Sequence, residues 1–563
     1  MADSNASPVR DRAVPLAKAE GALLALAAGD ALGWPQEIPR NVRGGWTDTR
    51  AHVEFEQWTR RGEGRFHPYE ELIHSGEYSD DTQLTLAIAR SRTNHGTAWW
   101  KAFTRMELPL WILYERGGGG ATKRAANAWA NGSPPWRSRK RESVRRYFEA
   151  GGNGVAMRVL PHALFLAGQD DTTALMHDVV LDGTATHGHP RALIGATAYA
   201  YAAWSLARLN DTLRFGELLD TLLDEAPAWA AFPPATRDGS SWFEAADDAT
   251  ATPYDRIWDQ TTREMRELLE TARKGLLAGA LADDHSVLKD LGCFGHAKGA
   301  GTSSAAGAAY LAARHATQPV RGILRAAFEK GADTDTLAAM AGGLLGCLAG
   351  VDWLPQPWLQ VQDSEYLRKI AAKVAEGPIG ASEKSIEPLA RPQSILSDLV
   401  ENGNQEIGLG GTTRAVSEPG HNLKPLCSTI TVRAWRLKTT EGQTIYLTKV
   451  GRLPKVSREP LRPENRARKD SQYPTTHHSA SEEGVMPTIG ATPNPRNELY
   501  RTFCQLLRAL LSSSGELKPT EINERLDLVP SQVKNWLKRA EQDGYVERSS
   551  KRPIKFRLPP PLL

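Results

Sequence analysis

The stretch from Lys330 to Gly350 constrains the fold of this chain more than any other. It begins with Lys-Gly-Ala-Asp-Thr-Asp-Thr and continues as Leu-Ala-Ala-Met-Ala-Gly-Gly-Leu-Leu-Gly-Cys-Leu-Ala-Gly, a run of small and apolar residues. A helix that is apolar on every side has to be buried. The sequence therefore predicts a central helix whose first turn, residues 333–336, carries two carboxylates and two hydroxyls.

These polar residues have two interpretations. Asp and Thr are good helix caps, and acidic residues in the first turn suit the helix dipole, which is the interpretation as an ordinary helix start. A hard divalent cation is held by the same groups, that is, by carboxylate, hydroxyl and water oxygens. Taken alone, this stretch favours the ordinary helix start.

A second stretch of the same kind changes that balance. Tyr-Ser-Asp-Asp-Thr at 78–82 opens another helix, in which Leu84 and Ile88 lie one turn apart. Because a helix N-terminus repels a cation, a metal there requires an excess of carboxylates. Two such starts facing each other supply enough oxygens for two cations that share a bridging Asp, roughly 3.5–4 Å apart in two-metal sites. The predicted metal ligands are Ser79, Asp80, Asp81, Asp333, Asp335 and Thr336.

Composition limits the number of domains, the classes of partner and the compartment that we expect. At 563 residues the chain is long enough for two or three domains. A net charge of +3 argues against a polyanion-binding role for the whole chain, although a part of it can have one. Four widely spaced cysteines without a Cys-x-x-Cys pair favour a reducing compartment over a zinc site or a disulfide framework. We see neither a signal peptide nor an apolar run long enough to span a bilayer, and we expect a cytoplasmic protein without a membrane partner.

An alanine- and leucine-rich segment near the N-terminus, 17–28, predicts another helix. We expect Gly29 to end this helix and Gly33 to form a tight turn. Glu37 lies in the loop that follows, next to Trp and Pro, where an acidic side chain is usually just solvated.

Five motifs now stand in a fixed order along the chain. They are Gly21–Gly33, Ser79–Thr82 (Ser-Asp-Asp-Thr), Gly152–Arg158 (Gly-Asn-Gly-Val-Ala-Met-Arg), Thr186–Pro190 (Thr-His-Gly-His-Pro) and Gly331–Thr336. Together they resemble the ADP-ribosylglycohydrolase family, which includes the dinitrogenase reductase-activating glycohydrolase. The resemblance covers roughly residues 15–375.

The resemblance implies a metal-dependent hydrolase. In the family, two metals face the distal ribose of ADP-ribose, so two Mg²⁺ or Mn²⁺ ions are expected here, with Asp335 as the bridging ligand. A carboxylate, Glu37, Asp80 or Asp333, would activate water as the general base. The products would be free ADP-ribose and the unmodified acceptor, which is an Arg or Ser side chain or nucleic acid. Family members commonly have Thr at the position of Ser79, and Ser keeps the oxygen ligand.

The resemblance also implies contacts to the substrate. Gly152, Asn153 and Gly154 precede a helix, where free backbone N–H groups and the helix dipole suit a diphosphate, although Gly-Asn-Gly is also ordinary turn chemistry. In the family this stretch lies along ADP-ribose. His187 would contact the ligand near a ribose or a phosphate. From the residues alone, the pair His187 and His189 at a helix start is interpreted as a cap rather than as a transition-metal site, because no Cys or third His is near.

The periodicity of the first part of the chain predicts its fold class. Most segments between 15 and 377 repeat with a period near 3.6 and few alternate as strands do, which predicts an all-α catalytic domain. Residues 1–14 are polar and are predicted to be disordered.

Composition changes after Gly377. Residues 378–452 form a Gly/Pro-rich segment in which 428–437 and 444–450 alternate at period two, as in a β-hairpin. Residues 453–494 are rich in Arg, Lys, Pro, Ser and Thr, and we predict a flexible, disordered linker.

Residues 495–563 have the pattern of another domain. Three short helices and a basic hairpin resemble a winged helix-turn-helix, whose third helix would enter the major groove of DNA while the hairpin lies near phosphate. The alternative is a winged-helix module for protein interaction or dimerisation. The predicted DNA-contacting residues are Gln532, Asn535, Lys538 and Arg539 on the third helix and Lys551 and Arg552 on the hairpin.

Two functions follow from these patterns. The first is a dinuclear metal hydrolase that releases ADP-ribose from a modified protein or nucleic acid, with a C-terminal module that binds DNA or a partner. The second is a DNA-binding regulator that senses ADP-ribose or a nucleotide without turnover. Retention of all four carboxylates argues for the first, because a sensor does not require them.

Overall fold

The structure is a computed structural model of the 563-residue chain. It describes residues 13–37, 51–62, 68–233, 240–378, 386, 406–408, 412–419, 423–452, 495–526, 528, 530–551 and 554–558. The chain divides into two compact units, Met1–Ser457 and Arg458–Leu563. The predicted disordered N-terminus lies largely outside the described residues, and the predicted linker at 453–494 lies entirely outside them.

Helices dominate the described part of the first unit. In chain order, they are α1 (Leu16–Gly33), α2 (Asp80–His95), α3 (Trp99–Ala102), α4 (Leu108–Trp111), α5 (Gly120–Ala130), α6 (Arg141–Phe148), α7 (Leu160–Phe165), α8 (Thr173–Thr184), α9 (Pro190–Arg208), α10 (Glu217–Asp224), α11 (Ala226–Trp229), α12 (Ser240–Ala249), α13 (Tyr254–Leu277), α14 (Asp284–Asp290), α15 (Gly301–Arg314), α16 (Pro319–Ala327), α17 (Thr334–Ala349) and α18 (Ser364–Ala375). Within the described part of the chain, no helix combines the length and the apolarity that crossing a bilayer requires.

Two small antiparallel sheets accompany these helices. Their strands are β1 (Trp58–Gly62), β2 (Tyr69–Ile73), β3 (Glu406–Gly408), β4 (Thr412–Pro419), β5 (Leu423–Pro425), β6 (Ile430–Thr439) and β7 (Thr444–Arg452). The strand orders are β1–β2–β5 and β3–β4–β6–β7. The hairpin predicted near 428–450 is confirmed as β6 and β7.

The predicted burial of the central helix is confirmed, because α17 is buried from Thr334 to Cys347. It packs against α1, whose residues from Gly21 to Gly33 are also buried. The expectation that Gly29 ends α1 was wrong, since the helix continues to Gly33. A Cβ on Gly29 would lie 2.3 Å from the carbonyl oxygen of Ala338. Glycine therefore serves there to let two helix backbones touch.

The expectation of an all-α catalytic domain also needs correction, because β1 and β2 lie inside it. Their strand pattern is hidden by charged residues. Glu71 on β2 is 2% exposed and is paired with Arg116, 2.7 Å away, and with Arg60 on β1. From sequence alone, a charged residue is assigned to the surface, because charged residues are rarely buried unless an opposite charge neutralises them.

The β6–β7 hairpin is fixed to the helices of its own unit by buried polar contacts. Arg90 on α2 donates to the side-chain carbonyl of Gln443, at 2.6 Å. The backbone N–H of Thr444 donates to Asp363, at 2.7 Å. Gln443 and Thr444 lie at the tip of the hairpin, so the hairpin packs on the helical domain rather than forming a separate body.

The second unit has its own hydrophobic core. Its described elements are α19 (Pro495–Ser514), α20 (Pro519–Leu526), α21 (Pro530–Gln542), β8 (Glu547–Lys551) and β9 (Ile554–Arg557). Phe503, Leu507, Val533, Leu537 and Phe556 are all buried in this core. The strands β8 and β9 are antiparallel, and Leu517 pairs with Phe556 in an isolated bridge.

Candidate active site

The starts of α2 and α17 meet in the structure. The Thr336 hydroxyl lies 3.3 Å from the Oδ2 atom of Asp81. At the same place α17 approaches the end of α1, because the Thr334 hydroxyl donates to the carbonyl of Gly33 at 2.8 Å. A Cβ on Gly33 would lie 2.2 Å from the Thr334 carbonyl oxygen. Three buried helix ends thus deliver polar side chains to one place.

Asp30 organises this junction, and sequence reasoning gave it no role. Its carboxylate is fully buried and accepts hydrogen bonds from the backbone N–H groups of Ser79 and Thr82, both at 3.0 Å, and from the Thr82 hydroxyl at 2.6 Å. These bonds satisfy N–H groups that the start of α2 would otherwise leave unpaired. The available signal was a carboxylate inside an apolar helix within the Gly21–Gly33 motif.

A carboxylate cluster lies at the start of α17. Oxygens of Glu37, Asp333 and Asp335 lie within 4.8 Å of one another. Three carboxylates at that spacing repel one another unless protons or cations neutralise them. The structure therefore brings Glu37, from the loop after α1, together with two of the predicted ligands.

The pKa values of the cluster show the same crowding. Burial, then the charge of Asp333, raises the pKa of Glu37 to about 8. Burial, followed by Asp30 and Asp80, raises the pKa of Asp81 well above its usual range. Burial, followed by Glu37 and Asp81, does the same to the pKa of Asp335. Such carboxylates remain ionised at neutral pH when a cation sits among them.

One further observation bears on whether this site suits a metal. The Oδ1 atom of Asp81 is buried and has no hydrogen-bond partner among the described residues. A buried carboxylate oxygen normally has one. An unpaired oxygen beside several other buried carboxylates fits oxygen-preferring cations such as Mg²⁺ or Mn²⁺.

Ser79 and Asp80 hold different places in the site. Ser79 caps α2, since its hydroxyl accepts from the backbone N–H of Asp81 at 3.4 Å, which is the interpretation as an ordinary helix start. Asp80 faces the loop before α5, where a Cβ on Gly117 would lie 3.0 Å from its Oδ1 atom. Burial, followed by Glu115 and Asp30, raises the pKa of Asp80 well above its usual range.

The Gly152–Gly154 loop is tied directly to the carboxylates. The Asn153 side-chain amide donates to Oδ2 of Asp333 at 2.7 Å and to the Ser304 hydroxyl at 3.0 Å. The Asn153 backbone N–H donates to the carbonyl of Gly299, at 2.8 Å. Asn153 therefore lies between the predicted substrate loop and a predicted metal ligand.

The two histidines of the Thr186–Pro190 motif differ in their surroundings. His187 is 3% exposed and lies beside the glycine loop, where a Cβ on Gly154 would be 3.4 Å from its Nε2 atom. Burial, followed by the charge of Arg158, lowers the pKa of His187 to about 3. His189 caps α9 by accepting from the backbone N–H of Arg191 at 3.1 Å, which confirms the cap interpretation for that residue.

The predicted DNA-contacting residues are only partly described. On α21, Asn535, Lys538 and Arg539 are exposed and Gln532 is half-buried. Arg539 lies over the ring of Tyr500, 3.9 Å from its centroid. The side chain of Lys551 and the whole of Arg552 lie outside the described residues. Lys534, Asn535, Lys538 and Arg548 line a groove of about 520 Å³ in this unit.

Comparison with known proteins bears on the first unit. The model of the family described as ADP-ribosylglycohydrolase matches residues 11–383, about two thirds of the chain. This chain belongs to the ADP-ribosylglycohydrolase family. The match spans the end of α1, the starts of α2 and α17, and the Gly152–Gly154 loop. The family assignment made from the five motifs is thereby confirmed.

Individual relatives of this ADP-ribosylglycohydrolase-family chain are distant. The Escherichia coli K12 protein named uncharacterized protein YegU is 26% identical over 344 residues, which cover 59% of this chain and 87% of that protein. The ADP-ribosylarginine hydrolase Tri1 of Pseudomonas putida GB-1 is 23% identical over 370 residues, covering 64% and 78%. A solved structure entitled ADP-ribosylglycohydrolase-related protein complex aligns with 20% identity and a TM-score of 0.41, covering 64% of this chain and 97% of that one.

Proposed function

We propose that this protein is a metal-dependent hydrolase that cleaves the glycosidic bond between ADP-ribose and a modified acceptor. The observation that carries the proposal is the convergence of the two acidic helix starts, with Thr336 beside Asp81 and with Glu37, Asp333 and Asp335 within 4.8 Å of one another. Family membership supports the class of substrate. The unpaired Asp81 oxygen supports a cation at that place.

The side chains that would hold two Mg²⁺ or Mn²⁺ ions are Ser79, Asp80, Asp81, Asp333, Asp335 and Thr336. When bound, such ions supply positive charge that orients ribose hydroxyls and lowers the pKa of a coordinated water. The protein's part is to hold the carboxylates rigidly. Asp30 fixes the start of α2, and the glycines of α1 fix the distance between α1 and α17.

Glu37 suits the role of general base. It lies in the loop at the end of α1 rather than on α17, and its oxygen is part of the cluster with Asp333 and Asp335. Burial and the neighbouring Asp333 raise its pKa to about 8, so it holds a proton more tightly than an exposed carboxylate does. A cation among the carboxylates would keep Glu37 ionised at neutral pH, and an ionised carboxylate can accept the proton of an attacking water. Asp80 and Asp333 are the alternatives for this role.

Asn153 and the glycine loop would place the substrate. The loop backbone is free of side chains at Gly152 and Gly154, and the N–H groups of these two glycines suit an anionic diphosphate. Because Asn153 bonds to Asp333, a substrate lying along this loop would be positioned relative to the carboxylates.

ADP-ribosylated arginine is the first acceptor to test, because the Pseudomonas putida relative is named as an ADP-ribosylarginine hydrolase. Serine conjugates and ADP-ribosylated DNA complete the panel. Release of ADP-ribose from one conjugate by the full-length chain, with Mg²⁺ or Mn²⁺ present, supports the hydrolase. Tight binding of ADP-ribose with no release from any conjugate under any metal would support a sensor instead.

We propose further that the second unit is a winged helix-turn-helix that binds DNA or a partner. Three helices followed by a two-stranded hairpin support the proposal. Between residues 495 and 563 the chain has 13 Lys and Arg against 8 Asp and Glu, a clear excess of positive charge. Exposed Asn535 and Lys538 on the third helix suit contact with bases and phosphates. Mobility-shift assays with and without residues 458–563 test this.

A further inference from the structure

A buried chain of hydrogen bonds runs from α8 to His187. Arg158 and Asp182 are both fully buried, and Nε and Nη2 of Arg158 donate to Oδ1 of Asp182 at 2.9 and 2.7 Å. The Nη2 atom of the same arginine also donates to the hydroxyl oxygen of Thr186, at 2.9 Å. That hydroxyl lies 2.7 Å from Nδ1 of His187.

The direction of the hydrogen bond between Thr186 and His187 follows from that of the bond between Arg158 and Thr186. A guanidinium only donates, so the Thr186 oxygen is an acceptor toward Arg158. Among the described residues, the only other hydrogen-bond partner of this hydroxyl is Nδ1 of His187. If Nδ1 carried the proton, the Thr186 hydrogen would be buried without an acceptor, which is unfavourable. The hydroxyl therefore donates to Nδ1, and the ring proton resides on Nε2.

The location of Nε2 makes this assignment consequential. The ring of His187 is 3% exposed, and its Nε2 atom has no hydrogen-bond partner among the residues that the structure describes. A Cβ on Gly154 would lie 3.4 Å from Nε2, and a Cβ on Gly152 would lie 3.8 Å from it. An N–H donor with no partner among the described residues, on a side chain that is almost wholly buried, thus lies beside a strip of bare backbone. That combination suits an acceptor oxygen of a ligand.

We infer that Thr186, itself held by Arg158, is a positioning residue that fixes His187 as the neutral Nε2–H tautomer, so that its ring donates one hydrogen bond to a ligand oxygen beside the Gly152–Gly154 loop. The inference rests on the proposed function for the identity of that ligand, ADP-ribose. Its oxygen belongs either to the diphosphate or to the distal ribose. A neutral donor recognises an oxygen of either kind without adding a charge to the site.

The tautomer is measured in the ligand-free, full-length chain. Selective ¹⁵N labelling of histidine and two-bond ¹H–¹⁵N correlation spectra distinguish the two neutral tautomers, and a His187→Gln spectrum assigns the signal. At pH 7.5 we expect the Nε2–H pattern in the wild-type protein and in Thr186→Ser, which keeps the hydroxyl. In Thr186→Val we expect the pattern to shift to Nδ1–H or to a mixture. Thr184→Val is the matched control and should leave the pattern unchanged, because the Thr184 hydroxyl donates, among the described residues, only to the carbonyl of Leu181.

The affinity for ADP-ribose tests whether His187 donates a hydrogen bond to the ligand. Thr186→Val should weaken ADP-ribose binding by about tenfold, the loss expected for one hydrogen bond, while Thr186→Ser and Thr184→Val bind as the wild type does. If ADP binding weakens equally, the oxygen belongs to the diphosphate, and if only ADP-ribose binding weakens, it belongs to the ribose.

Two results overturn the inference. One is a wild-type spectrum with the proton on Nδ1 or on both nitrogens, which decides the matter even if Thr186→Val does not fold. The other is a Thr186→Val protein with unchanged tautomer and affinity. Failure of the wild-type chain to bind ADP-ribose at all would contradict both the proposed function and the ligand contact. The Nδ1–H tautomer together with normal ADP-ribose release would contradict this inference and leave the proposed function standing.

Discussion

The Thr336 hydroxyl and the Asp81 carboxylate lie 3.3 Å apart, although 255 positions separate them in the chain. Each belongs to the first turn of a buried helix, and each helix is tied to α1. Hydrogen bonds to Asp30 hold α2, and glycine contacts hold α17. The carboxylates are thus crowded together by the packing of the hydrophobic core.

Cations should stabilise the first unit. Buried carboxylates that repel one another destabilise the metal-free fold, so Mg²⁺ or Mn²⁺ should raise its Tm in a concentration-dependent way. A cation at a hundred times its Kd contributes about 2.7 kcal/mol to the free energy of unfolding. Differential scanning fluorimetry measures the shift. Asp335→Asn should raise the Tm of the metal-free protein and abolish most of the shift, whereas exposed Asp352→Asn should alter neither. Equal metal-induced shifts in all three proteins would be inconsistent with this site.

Gly33→Ala should damage the site through the backbone. Its new Cβ would lie 2.2 Å from the Thr334 carbonyl oxygen, so α1 and α17 must separate where the carboxylates meet. We expect a loss of about 2–3 kcal/mol in the free energy of unfolding, measured with urea, together with weakened metal binding. Gly119→Ala is the control, since a Cβ there has no atom within 4 Å. A Gly33→Ala protein with normal stability and metal affinity would show that this close approach is dispensable.

Local patterns predicted both acidic helix starts and the β6–β7 hairpin. The signals were strong because they repeat within a few residues. Caps and first-turn acids mark the starts of α2 and α17, and alternation marks the hairpin. That the two helix starts converge depends on packing, and the glycines that allow it were interpreted as turn residues.

The features that could not be predicted from the sequence depend on partners that are distant in the chain. Asp30 is an isolated carboxylate in the sequence, and only the fold shows that it accepts from Ser79 and Thr82. Strands β1 and β2 were missed because Glu71 resembles a surface residue, while its partner Arg116 is 45 positions away. No local pattern reports such a pair.

Glu71 should contribute to stability in a pH-dependent way. Burial alone would raise its pKa, but the charges of Arg116 and Arg60 outweigh burial and lower the pKa to about 2. Because the folded-state value lies below the ordinary value near 4.5, the contribution is complete above pH 4.5 and is lost as the pH falls toward 2. It amounts to about 3 kcal/mol. Urea unfolding between pH 7 and pH 3 should show a shallower acid-induced loss in Glu71→Gln than in the wild type, and identical slopes would contradict the assignment.

Lys538 should contribute to DNA binding through charge. If α21 lies on DNA, Lys538→Ala in the full-length chain should weaken binding to all sequences alike and reduce the slope of log K against log salt concentration by about 1. Exposed Lys449→Ala, in the first unit, is the control. Electrophoretic shifts at several salt concentrations provide the measurement. Binding that is absent, or insensitive to salt, would favour the protein-interaction alternative.

The most direct test of the central claim is the rate of ADP-ribose release from the conjugate that the protein cleaves fastest, measured with Mg²⁺ or Mn²⁺ and again after chelation. We expect chelation and Asp335→Asn each to lower the rate by at least about a hundredfold, because the site loses several kcal/mol of transition-state stabilisation, while Asp352→Asn behaves as the wild type. Restoring the metal should rescue the chelated wild type but not Asp335→Asn. Full activity in a preparation stripped of divalent ions, or in Asp335→Asn, would contradict the account.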